Sequence, residues 1–117
     1  MSAATVVAAV AMAFDLVCSG TTTDSSVLET PHKETPFHRV YHIDLDNPRW
    51  CADECPAINP ILSVTQQEIE LLGGADDETV FNRETNRIVR FLGPGDAIIE
   101  SGTCKTAPFT QFPKPKP

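Results

Sequence analysis

Apolar and polar side chains alternate with a period of two through much of the chain, most clearly between His38 and Cys55. Tyr41, Ile43 and Leu45 fall on one face, and His38, His42, Asp44 and Asp46 on the other, the pattern of a strand with one packed and one wet side. A helical period would scatter these residues around an axis. Pro48 has no N–H for a ladder and biases Asn47 away from helical dihedrals, so the strand is expected to stop at Asp46 and turn. Trp50 follows beside Cys51, and its large apolar area makes it the best single anchor for a core. If exposed, it would instead be a recognition residue.

The same pattern places shorter strands along the rest of the chain. Phe14, Leu16 and Cys18 share one face of a first strand, which Gly20 is expected to end. Thr21 to Pro36 is rich in Thr, Ser, Asp and Pro with only Val27 and Leu28 to bury, which predicts a long mobile loop. Ile61 to Val64 reads as a short strand after the bracketing Pro56 and Pro60. Residues 65–72 carry two signals, a capping box at Thr65-Gln66-Gln67-Glu68 and an alternating Glu68-Ile69-Glu70-Leu71. Gly73 and Gly74 leave room for only about two helical turns, so the strand is preferred. Thr79–Asn82 and Arg87–Phe91 flank a polar connection, Arg83-Glu84-Thr85-Asn86, whose Asn86 supplies a positive φ; Phe81, Val89 and Phe91 are expected to share a face. Gly93-Pro94-Gly95-Asp96 is a second turn before a last strand at Ala97–Ser101, leading to Gly102 and Cys104. From Ala107 onward Pro108, Pro113, Pro115 and Pro117 predict an extended end without ladder bonds.

Short strands joined by turns make the expected fold all-β: a small antiparallel meander, closed or half-open as a barrel, with disulfides and an irregular proline-rich C-terminal tail. The expected organisation is an apolar segment at 1–13, a single β-rich domain at 14–112 and an extended tail at 113–117. With 117 residues the chain has length for one modest core, which crosslinks would help. A formal charge of −7 with nine scattered Lys and Arg excludes a phosphate-tracking nucleic-acid surface.

Residues 3–13, AATVVAAVAMA, form a small-residue apolar run ending in Ala11-Met12-Ala13, which fits an A-x-A cleavage site. A positive n-region is missing, since no Lys or Arg precedes Lys33. The general form of the segment predicts export, to the periplasm or as a secreted protein; the competing reading is a buried first element of a cytosolic protein. The run is too short to span a bilayer. Leu16-Val17-Cys18-Ser19 superficially matches a lipobox, but Val17 stands where a small residue must precede the modified cysteine, so lipidation is rejected.

Four cysteines admit three pairings. In an oxidising compartment the expected bridges are Cys51 to Cys55, and Cys18 to Cys104 across neighbouring first and last strands of a closed meander. Loop-entropy arithmetic assigns about 2 kcal/mol to the short bridge and about 4.6 kcal/mol to the long one. A zinc site needs Cys18, Cys104 or a histidine to converge on the one close pair, and C-x3-C departs from the C-x-x-C of redox proteins.

His38, His42 and Asp44 project from one strand face, with His32 on the loop before them. That set is either a metal-ligand face or a solvated polar face, and the second is preferred because no further ligand cluster of known spacing accompanies it. Asp76-Asp77-Glu78 lacks the alternation of a calcium loop and reads as a charged turn. There is no G-x-S-x-G elbow and no phosphate-binding glycine loop, so neither catalysis nor a cofactor is expected.

Phe14-Asp15-Leu16-Val17-Cys18-Ser19-Gly20, Tyr41 to Leu45 with Trp50-Cys51 and Cys55, Asn82-Arg83-Glu84-Thr85, and Gly102-Thr103-Cys104 with Ala107-Pro108-Phe109 together resemble small uncharacterised exported proteins of bacteria. The resemblance covers most of residues 14–112. It implies a compact cysteine-containing β-rich domain and brings no activity with it. The leading expectation is a non-enzymatic exported β-domain that binds a small apolar ligand or a protein surface. The alternatives are a structural or accessory cell-envelope protein without a ligand pocket, and a metal-binding or redox protein that uses the cysteines and histidines.

Overall fold

Period-two alternation becomes one antiparallel sheet in the computed structural model, which describes residues 12–25 and 33–112. Its strands are β1 (Ala13–Asp24), β2 (Lys33–Asp44), β3 (Arg49–Ala52), β4 (Asn59–Pro60), β5 (Ser63–Val64), β6 (Glu68–Gly73), β7 (Asp77–Asn82), β8 (Arg87–Leu92) and β9 (Ile98–Pro108). Most of the signal-like segment, His32 and the tail at 113–117 lie outside the described residues.

The order across the sheet is β4-β3-β2-β1-β9-β8-β7-β6-β5. The first and last strands are neighbours, and the two edges, β4 and β5, are consecutive in the chain. The sheet therefore curls into a half-barrel whose seam is spanned by two residues. Ile61 N–H donates to Pro48 O on one side of it (3.1 Å) and Leu62 N–H to Glu70 O on the other (2.9 Å). Closing the meander through β1 and β9 covers the backbone of both and moves the edges to strands two residues long, which limits edge pairing with other chains.

Several expected boundaries move. Gly20 does not end β1, and the Thr-rich stretch after it is not wholly loop: β1 runs on to Asp24 and β2 begins at Lys33, in register from Ala13↔Asp44 to Asp24↔Lys33. Gly20 faces Gly102 across β1 and β9, and a Cβ on either would fall onto the opposite backbone, so this pair is a close approach of two strands. The β-branched Thr21, Thr22 and Thr23 then continue the strand. Pro36 is tolerated for a geometric reason. Val40 sends its C=O and N–H to Asp53, away from β1, so the missing N–H of Pro36, four residues earlier on the same side, faces the stretch of β2 that β3 does not reach.

β2 ends at Asp44, two residues before the expected stop, because Asp44 Oδ1 accepts the N–H groups of Asp46 (3.1 Å) and Asn47 (3.3 Å) and closes the turn. The capping-box residues build a turn too: Thr65 Oγ1 accepts from Gln67 and Glu68 N–H, and β6 follows as a strand. Asn86 takes the expected positive φ, 60°. Asn82 pairs with Arg87, however, so Phe81 meets Ile88 and both are buried, while Val89 and Phe91 turn to the other face. β9 extends to Pro108, so Ala107 and Pro108 pair with Asp15 and Phe14 and are not free of ladders.

Leu16, Ile43, Ile69, Leu71 and Ile88 are fully buried and form the apolar filling with Tyr41, Trp50, Phe81 and the Cys18–Cys104 bridge. Those two cysteines are direct register partners on β1 and β9, with Cα atoms 4.0 Å apart. A register shift between Glu70 and Leu72 leaves Leu71 without a ladder partner. Its carbonyl accepts the Trp50 indole N–H at 3.2 Å, which satisfies the one polar atom of the anchor.

Candidate functional site: the polar mouth of the half-barrel

Not all inward positions are apolar. Register partners Thr22, Glu100, Arg90 and Thr79 run across β1, β9, β8 and β7 on the same face as the Cys18–Cys104 bridge. Arg39, the partner of Cys18 on β2, joins them. Glu100 lies at the centre, taking Arg39 Nη1 at 2.6 Å and Nη2 at 3.1 Å, with Thr22 Oγ1 at 3.3 Å and Arg90 Nη1 at 3.7 Å. Asp77 grips Arg90 as a fork, Oδ1 to Nε at 3.1 Å and Oδ2 to Nη2 at 2.9 Å. Arg39 Nη1 also donates to the Tyr41 hydroxyl at 3.2 Å.

Burial pushes the Glu100 carboxyl up, but hydrogen bonds and charge from Arg39, helped by Arg90, hold it below its ordinary value. The Glu100 bond raises Arg39 against the opposing effect of burial, and Asp77 does the same for Arg90. Burial raises the Tyr41 phenol against the pull of Arg39. The cluster is thus charge-balanced, with two guanidinium groups held from behind by two carboxylates.

In front of it is a half-open cavity of about 180 Å³. Its apolar walls are Tyr41, Trp50, Ala52 and Leu72 together with Pro56 and Ala57, which follow the loop closed by Cys51–Cys55. Its polar walls are Arg39, Arg90, Asn59 and Thr79, with no carboxylate among them. Thr79 is 1 % exposed, and its hydroxyl has no hydrogen-bond partner.

A second polar group lies on the outer face. His42 and Asp44, expected on a wet side, are buried, and so is Asp15; His38 is exposed. What covers His42 and Asp15 is the chain after β9 and the loop after β3. His42 Nδ1 lies 2.9 Å from Asp15 Oδ1 and 3.1 Å from Thr110 Oγ1, while Nε2 lies 3.0 Å from the Asp53 carbonyl. Thr110 Oγ1 also donates to Asp15 Oδ2 at 2.7 Å. A nucleophile relay needs hydroxyl and carboxylate on opposite ring nitrogens. Here both share Nδ1, so the group clasps residues 109–112 to the sheet and does not activate a hydroxyl. The shallow groove beside it, about 700 Å³, has Val17, Val40, Ala107 and Pro108 along its floor, and its buried polar groups already bond one another.

Among the described residues no three His, Cys, Asp or Glu side chains come together as a metal site. The cysteines form Cys18–Cys104, expected from the meander, and Cys51–Cys55, expected from their spacing. Trp50 serves as core anchor and as a wall of the cavity. The residues that escaped the sequence reading are Arg39, Asp77, Thr79, Arg90 and Glu100. The signal was parity: Glu100 is four residues from Cys104 on one strand, so it faces inward if Cys104 does. Compared with protein-family models, curated proteins and solved structures, the chain matches none.

Proposed function

We propose that the protein is a non-enzymatic binding domain, acting in the periplasm or as a secreted protein, that takes a small ligand at the mouth of its half-barrel. The observation that carries this is a cavity whose walls combine two oriented guanidinium groups with the rings of Tyr41 and Trp50. The apolar end of the interior is filled by side chains, which supports a partly polar ligand at the mouth over an apolar one enclosed in the barrel.

Two disulfides support an oxidising compartment. No helix among the described residues is long and apolar enough to cross a membrane.

Trp50 is the only tryptophan and lines the mouth, so its emission reports on occupancy directly. Titration with a library of small polar aromatic and aliphatic fragments is expected to give saturable changes in Trp50 emission, with amide shifts at Asn59, Thr79 and Arg90. If no fragment gives a saturable response, or all shifts cluster on the outer groove around Val17 and Ala107, the mouth is not the site.

A further inference from the structure

We propose that the ligand head group taken at the mouth is a carboxylate on a small flat apolar body, the class to which benzoate belongs; this rests on the mouth being a ligand site.

Size sets the body. A cavity of about 150 Å³ admits benzene, and the mouth offers about 180 Å³ with one open side. A single ring fits against Trp50, Tyr41 and Leu72, and its substituent remains at the polar wall.

Chemistry sets the head group. The polar wall consists of Arg39, Arg90 and Asn59 with Thr79 behind them, and it lacks an acidic side chain. A guanidinium has five N–H groups and accepts nothing. Bonds to Glu100 and Tyr41 engage three of them in Arg39, and the Asp77 fork engages two in Arg90. Glu100 and Asp77 therefore fix the orientation of both groups without themselves lining the cavity. A planar two-oxygen acceptor suits planar donors held in this way, which is why Arg–carboxylate pairing is geometrically selective.

The two arginines and their two acidic partners balance, so attraction for an anion comes from local geometry and not from net charge. Affinity for a fragment of this size is correspondingly modest, with saturation at roughly millimolar concentration.

The test uses the full chain and three probes of similar shape: benzoate, benzamide and benzyl alcohol. Trp50 emission and amide shifts are followed at two salt concentrations. Benzoate is expected to bind about tenfold more tightly than either neutral probe, as a charge-assisted bond requires. Salt should weaken benzoate more than the other two. Arg90→Lys, which keeps the charge and removes the planar fork, is expected, once its denaturation shows an intact fold, to lose about fivefold in benzoate affinity and little for benzyl alcohol.

Benzamide or benzyl alcohol binding as tightly as benzoate would overturn the carboxylate assignment and leave the mouth as a site for neutral ligands. Equal benzoate affinity in Arg90→Lys would also overturn it. Fragments that bind at the mouth when benzoate does not refute the ligand class alone. A mouth that binds no probe and no fragment refutes the reading beneath it.

Discussion

The interior of the half-barrel has two ends built from the same strands and on different principles. At one end Leu16, Ile43, Ile69, Leu71, Phe81 and Ile88 exclude water and one another's free volume. At the other, the same inward rows on β2, β7, β8 and β9 carry Arg39, Asp77, Arg90 and Glu100. A sheet needs only one well-packed layer to define its curl, and the Cys18–Cys104 bridge stands at the junction of the two. The ionic end adds little through hydrophobic burial, and paired charges taken from water contribute less than an apolar replacement often would. Such an arrangement costs stability and provides oriented donors beside a space that side chains do not fill.

Substitutions sharpen this contrast. Phe81→Ala and Trp50→Ala should each cost about 3–5 kcal/mol, as truncation of buried aromatic side chains does, measured by urea denaturation. A loss near 1 kcal/mol would mean that the apolar end is loosely packed. Removing the long bridge with Cys18→Ser and Cys104→Ser should cost about 2–5 kcal/mol. The lower part of that range is expected, because the β1–β9 ladder holds the same two strands together over the full length of β9.

At the ionic end Glu100→Gln should cost about 2 kcal/mol by leaving Arg39 and Arg90 short of a counter-charge. Its pH signature has a definite sign. The folded carboxyl lies below its ordinary value, so the contribution is fully present above the ordinary value of about 4.5 and is lost as pH falls through the lower folded value. Acid denaturation of Glu100→Gln should therefore be shallower than that of the parent in that window; identical slopes would show that the pair does not sense pH. Thr79→Val should change stability by less than about 0.5 kcal/mol or raise it slightly, since it removes an unpartnered hydroxyl from a buried position.

The strands were legible wherever alternation was strong, as at Tyr41 and Ile43 or Phe81 and Asn82, and the neighbouring of β1 and β9 followed from closing a meander. The Cys18–Cys104 bridge followed from the same closure, and Cys51–Cys55 from its close spacing. Less legible was what a residue's neighbours do to it. Gly20 reads locally as a stop, yet it is the point where two strands approach across the sheet, visible only once Gly102 stands opposite. His42 and Asp15 have the polarity of a wet face, but the chain after Pro108 returns to cover them, a contact between residues far apart in sequence. Phe81, Val89 and Phe91 on one face would leave Arg90 on the other. The turn at Arg83–Asn86 fixes the parity in favour of Ile88, and with it the arginine enters the interior. Long-range pairing decided each of these, and polarity at single positions did not encode it.

Native-state hydrogen exchange tests the division of the interior most directly. Amides of Leu16, Phe81 and Ile88, each flanked by paired strands on both sides, should exchange only through global unfolding. The amides of Cys55 and Ile61, in the mouth wall and the seam, should exchange through smaller openings that depend weakly on denaturant. Uniform protection across both sets, or faster exchange at Phe81 than at Cys55, would contradict a filled end joined to an open mouth.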